Sequence, residues 1–347
     1  MAYSTISKPS LHFNTHLYTG NGSTQSITGV GFQPDWTILK GRNASNSHNV
    51  YDAVRGAGKT IVTDANYAES TDTARLTSFD SDGFSLGSNA NVNENNINFV
   101  SWNWKANGAG SANTDGSINS TVSANTTSGF SIVKYTGTGS NATVGHGLGA
   151  VPKMILIKEL NNSTNWIVYH AGVGNGGGLQ LNTTITTDVD GTFWNSTTPT
   201  SSVFSLGVNG NSNGSSDNYI AYCFADITGY SKFGSYTGNG NESGEGAFIY
   251  TGFKPAFFMV KNTSGNGHGW YMVNNKVDTD NPTNKYLVVN TSAAEASFDW
   301  FDLNSNGIKI RGNSGGANSN GDLYIYMAFA EEPLVANVGG SIPATAR

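Results

Sequence analysis

The 347-residue chain contains a single cysteine, Cys223, so no disulfide can close within it. Cys223 stands in an aromatic, strand-like run, where a small apolar thiol is expected to be core. A chain without disulfides is expected to be made in a reducing cytoplasm. Charge is scarce as well: Asp, Glu, Lys and Arg make up 12% of the residues, and the formal net charge is −6. The 18 Lys and Arg are scattered, which removes the basic face that binding to a phosphate backbone requires, so no nucleic-acid partner is expected. No apolar run approaches the ~20 residues of a membrane span, and Met1-Ala-Tyr-Ser-Thr5 does not read as a signal peptide, so no membrane insertion is expected. Long helices are excluded by the same poverty of pattern, because Gly and Asn interrupt every apolar stripe beyond about two turns.

What is abundant is glycine, 44 residues of it, with Asn, Ser and Thr crowding the connections. Short strands joined by polar turns need such residues, since Gly and Asn supply the positive φ of hairpin turns. One stretch then recurs. Tyr-Thr-Gly-x-Gly stands at Tyr18 to Gly22, Tyr135 to Gly139 and Tyr236 to Gly240. A proline follows each tyrosine after 16, 17 and 19 residues (Pro34, Pro152, Pro255), and six residues later a lysine closes an apolar run: Lys40, Lys158, Lys261. Farther on, Gly83-Phe-Ser-Leu-Gly87, Val203-Phe-Ser-Leu-Gly207 and Gly307-Ile-Lys-Ile-Arg311 each precede a final aromatic run ending at Trp104, Phe224 or Phe329.

Three diverged units of roughly 100 residues follow from this, each large enough to bury a core. Strands spaced about ten residues apart predict an all-β chain of three tandem β-sandwich or jelly-roll-like repeats. The expected layout is an N-terminal arm at 1–14, repeat 1 at 15–105, a Gly/Ser/Asn/Thr-rich linker at 106–128 with one edge strand at Ser117 to Ser123, repeat 2 at 129–227, repeat 3 at 228–332 and a C-terminal arm at 333–347. The short junction between repeats 2 and 3 predicts a rigid pair, with repeat 1 set apart or at an angle. In the strand ending repeat 1, Val100, Trp102 and Trp104 are expected to face the core, and Phe99, Ser101 and Asn103 solvent or a neighbour.

Motifs with chemical promise each meet a plainer reading. Gly56-Ala-Gly-Lys59-Thr60 resembles the end of a phosphate loop, but Ala53 stands where the first glycine belongs, and a turn before a strand fits better. Asp302-Leu-Asn-Ser-Asn306-Gly307 matches the first half of a calcium loop, yet Asn313 replaces the bidentate glutamate. Asp188-Val-Asp190-Gly191 is a weaker oxygen cluster. His146, between glycines, reads as a turn cap. The acids Asp35, Asp52, Glu159, Glu242 and Glu245 do not recur at equivalent places, so no pair of catalytic carboxylates is indicated. No catalytic residue, cofactor or metal site is therefore expected. The ligand-contact candidates are aromatic: Trp166, Trp194, Trp270 and Trp300, which lie near turns beside Asn and Gly.

Val122 to Gly137, Val144-Gly-His-Gly-Leu-Gly149, Pro152 to Lys158 and Trp166-Ile-Val-Tyr-His170 resemble the repeated β-rich domain of structural proteins from tailed phages of marine bacteria and cyanobacteria. The likeness is strongest in the second unit and weakest in the third, which lacks the His-Gly-Leu-Gly element, and it marks a domain type without site residues. It implies a non-enzymatic virion protein, tail-associated or a fibre, made in the host cytoplasm. Such a protein forms a homo-oligomer through repeat edges and arms, binds other virion proteins, and can contact a host surface glycan or receptor. A capsid decoration protein is the alternative within that class. Outside it stands a carbohydrate-binding or polysaccharide-depolymerising module.

Overall fold

The computed structural model describes residues 4–333 apart from 243, 244 and 266. Every sheet is antiparallel, and the only α-helices among the described residues are single turns at Ala90–Asn93 and Gly210–Asn213. The expected C-terminal arm falls, beyond Pro333, outside the described residues.

The first part of the chain supplies β1 (Phe13–Thr19), β2 (Gln25–Thr28), β3 (Trp36–Gly41), β4 (Asn49–Asp52), β5 (Lys59–Val62), β6 (Ser70–Thr71), β7 (Leu76–Asp80), β8 (Gly83–Leu86) and β9 (Asn98–Trp104). The second supplies β10 (Ser111–Asn113), β11 (Ser120–Asn125), β12 (Phe130–Thr136), β13 (Ala142–Gly145), β14 (Met154–Glu159), β15 (Ile167–His170), β16 (Leu179–Gln180), β17 (Val203–Leu206) and β18 (Asn218–Phe224). The third supplies β19 (Ser231–Thr237), β20 (Phe248–Tyr250), β21 (Phe253–Asn262), β22 (Trp270–Asn274), β23 (Thr283–Val288), β24 (Ala296–Asn304), β25 (Gly307–Ile310) and β26 (Leu323–Pro333).

The large sheets run β1-β9-β3-β4-β5-β6, β10-β11-β12-β18-β14-β15-β16 and β19-β26-β21-β22-β23-β24-β25-β20. In each, the strand carrying the Tyr-Thr-Gly motif pairs with the last strand of its segment, which pairs in turn with the strand carrying the buried lysine. The pairs β2-β8 and β13-β17 belong to separate small sheets, whereas β20-β25 is the end of the third large sheet, folded over so that Ile249, Ile308 and Ile310 share a core with Phe258 and Tyr326.

The burial of the side chains follows from this layering. One face of each large sheet packs against its own short strands, giving three separate cores around Phe84, Phe204 and Phe301. The opposite faces of all three large sheets meet in one common core. There Phe329 lies 5.0 Å from Phe13, 5.6 Å from Trp104 and 6.1 Å from Phe224, ring centre to ring centre. Trp36 lies 4.6 Å from Tyr222. Ile6, from the N-terminal arm, is buried in the same core.

Two sequence expectations change here. The last strand, β9, is buried on both faces beyond its first residue, because one face meets the common core and the other the local one. Ser101 and Asn103 satisfy their polar atoms inside, with Asn103 accepting from Thr37 Oγ1 at 2.8 Å. Within 106–128 the edge strand expected at 117–123 is β11, which extends the second sheet by pairing with β12, and β10 adds one further strand beside it. The first segment is packed against both others instead of standing apart.

Candidate functional site

The recurring residues explain themselves locally. Tyr18, Tyr135 and Tyr236 donate their hydroxyls to the carbonyls of Val92, Ser212 and Ala317, each at 2.7 Å. Each ring stacks on the aromatic opposite it, Phe99, Tyr219 or Tyr324, with centres 4.9–5.1 Å apart. The first motif glycine cannot carry a side chain, because a Cβ on Gly20, Gly137 or Gly238 would lie 2.1–2.3 Å from a backbone oxygen. The second, Gly22, Gly139 or Gly240, has φ near +69°, where only glycine is unstrained.

A third set was not singled out in the sequence: Asn93, Asn213 and Asn318, all buried. Their side-chain oxygens accept from the backbone N–H of Asn21, Thr138 and Asn239 at 2.9–3.0 Å, which pins the motif loop. The signal was present, since each asparagine stands eleven residues before Trp104, Phe224 or Phe329.

Two of the three lysines bind one segment to another. Lys40 donates to the carbonyls of Gly41, Ala44 and, in the third segment, Ser292 at 3.1 Å. Lys261 reaches the second segment at Thr184 O, 3.2 Å away, and Lys158 donates to Glu159 O. Burial lowers all three ammonium groups to a pKa of about 8. Their protons point at carbonyls, so they serve as fixed donors.

Further bonds close a ring. Trp166 Nε1 donates to Val62 O at 2.7 Å, joining the second segment to the first. Trp270 Nε1 donates to Gln180 O at 3.0 Å, joining the third to the second. Thr63 Oγ1 donates to Val289 O at 2.7 Å, and Arg42 pairs with Glu295 at 2.8 Å, joining the first to the third. Between the first two segments Tyr222 donates its hydroxyl to Asp52 at 2.7 Å, and the buried Arg55 binds both Asp52 and Glu69. His170 bridges the second and third: Gly172 N–H donates to Nδ1 at 3.0 Å, so the ring proton sits on Nε2 and donates to Tyr326 O at 3.2 Å. Burial lowers this imidazole to a pKa of about 4.

Where the three sheets meet, a cavity of ≈ 30 Å³ remains, lined among others by Trp36, Trp102, Trp166, Phe257 and Met327. At ~10–15 Å³ for one water, it has the size of two or three waters and no room for a substrate.

All four tryptophans expected to contact a ligand are buried. Trp166 and Trp270 make the ring-closing bonds above, Trp194 donates to Gly177 O at 3.0 Å, and Trp300 packs 4.4 Å from Tyr271. Indoles near turns fill the cores here because little else large is available to fill them. His146 caps its turn, accepting from Leu148 N–H and hydrogen-bonded to Thr200 O. Gly56 to Lys59 is the turn entering β5. Asp302 pairs with Arg311 at 2.6 Å, and Asp190 accepts from Thr192 N–H. Asp35 accepts from Ala106 N–H, and Asp52 belongs to the Arg55 cluster. Among the described residues, no three His, Cys, Asp or Glu side chains are grouped to hold a metal ion.

The family described as "Domain of unknown function (DUF7483)" matches residues 8–333. The chain belongs to this family. The DUF7483 match runs through all three large sheets and the ring of bonds between them. No curated protein matches the chain.

Proposed function

We propose that the chain is a non-enzymatic structural protein of a virion, tail-associated or a fibre, built from three copies of one β-sandwich unit. The observation that carries this reading is the ring. The recurring Tyr, Gly and Asn residues hold each unit, and Lys40 and Lys261 join Trp166, Trp270 and Thr63 in tying one unit to another. A single family match across 8–333 supports treating the three units as one inherited body. A rigid, cross-braced body suits a part that bears load and presents surface.

Because the common core is closed within the chain, self-association and contacts with other virion proteins fall to the outside. The edge strand β20 is the most apolar candidate there, with Phe248 and Tyr250 47% and 60% exposed. Capsid decoration is the second reading in the same class.

The test is direct. Quantitative mass spectrometry of purified particles produced by cells expressing this chain is expected to find it in multiple stoichiometric copies. Cryo-electron microscopy should then place it on tail, fibre or head. Particles that lack the chain, or a purified chain that lowers the viscosity of a polysaccharide solution, would sink the proposal.

A further inference from the structure

The three segments differ at one place that their shared layout makes easy to compare. The residue whose carbonyl accepts from the N–H of Gly87, Gly207 or Arg311 is Arg75 in the first segment, Phe193 in the second and Trp300 in the third. Phe193 and Trp300 are buried plugs. Phe193 lies against Gly178, and Trp300 packs 4.4 Å from Tyr271 and 5.2 Å from Tyr286. By strand register, Ile167 and Gly178 in the second segment, and Tyr271 and Tyr286 in the third, correspond to Asn49 and Thr60 in the first. The first segment has therefore exchanged an apolar plug and its seat for an arginine, an asparagine and a threonine.

The result is a pocket of ≈ 240 Å³ opening to solvent. Its floor is Asn49, Thr60 and Val62, its wall Arg75 and Asn91, and Tyr67 stands at its rim with 64% of its surface exposed. Thr60 is buried, with its hydroxyl beside that of Tyr51. Arg75 is already held, with Nε on Asp72 at 3.2 Å and Nη1 donating to Asn49 Oδ1 at 2.8 Å. Those bonds orient the guanidinium, and Asp72 offsets its charge.

We propose that this pocket binds one neutral hexopyranose ring, the terminal sugar of a glycan. At ≈ 240 Å³, against ≈ 30 Å³ for the buried cavity, the pocket has room for a single ring and is smaller than the ~300 Å³ or more usual for drug-sized ligands. A pyranose presents an apolar C–H face, which suits the exposed Tyr67 ring, and an edge of hydroxyls, each donor and acceptor, which suits amide, guanidinium and threonine groups. The Arg75–Asp72 pairing favours a neutral sugar over an acidic one. The inference concerns the chain alone and stands apart from its place on any particle.

The test uses the purified full chain and the methyl glycosides of glucose, galactose, mannose and N-acetylglucosamine. Saturation-transfer NMR and titration are expected to detect at least one, with a dissociation constant on the order of 1 mM for so small a ligand. Tyr67→Ala, at an exposed rim position, is expected to weaken binding about tenfold, and Ser70→Tyr, which narrows the mouth, to do the same, both with unchanged melting temperature. Silence across the panel would overturn the proposal, as would wild-type binding by both variants, or glucuronic acid binding more tightly than every neutral sugar.

Discussion

Replacing Phe329 with alanine separates a chain that folds as one body from three that fold alone. Phe329 is fully buried on β26, and its ring touches Phe13 and Trp104 of the first segment, Phe224 of the second, and Phe233 and Phe257 of its own. A buried phenylalanine truncated to alanine costs about 3–5 kcal/mol, the lost transfer energy and the cavity together. Unfolding entropy is about 2.1 cal/mol/K per residue, or roughly 0.7 kcal/mol/K for a body of some 330 residues. If the three segments unfold together, a loss of about 4 kcal/mol lowers the melting temperature by roughly 6 °C in a single calorimetric transition. Were the third segment to unfold by itself, with roughly 100 residues, the same loss would drop its transition by about 20 °C and leave the others in place. A thermogram that splits, with one component displaced far below two unchanged ones, would refute the reasoning.

Tyr135→Phe removes the hydroxyl that satisfies Ser212 O in a buried loop, and a loss of about 1–2 kcal/mol in urea denaturation is expected. Tyr18→Phe and Tyr236→Phe should match it, since their bonds have the same length. His170 has a folded pKa of about 4, below its ordinary 6.5, so the folded state binds fewer protons than the unfolded one between these values. Its contribution is intact above pH 6.5 and is lost as pH falls toward 4, by about 3 kcal/mol at full protonation. Denaturation midpoints followed from pH 7 to 4 should fall, and His170→Gln should flatten that slope. An unchanged slope in the variant would remove His170 as the cause.

Much of the fold was legible because its signals are local. The Tyr-Thr-Gly-x-Gly stretch recurs because a hydroxyl, a missing Cβ and a positive φ are all needed at fixed spacing. The lysines recur because each ends a central strand where carbonyls need a donor. How the segments meet was not legible. A strand buried on both faces, such as β9, loses the alternation that reveals its orientation. The Trp166 and Trp270 indoles find their acceptors in neighbouring segments, 104 and 90 residues away in the chain, and no local pattern encodes that. The polar stretch 106–128 looked like linker with one edge strand because β10 is mostly exposed and Val122 is the one large apolar residue that β11 buries. The pocket on the first segment emerges only by comparison: Arg75 is unremarkable until it is set beside Phe193 and Trp300.

Native-state hydrogen exchange on the last strand of each segment, β9, β18 and β26, tests the closed ring most directly. Amides of these three strands are expected to share one opening free energy, equal to that of global unfolding, because each faces the same core. Three distinct opening energies, with β9 exchanging well before β18 and β26, would contradict it.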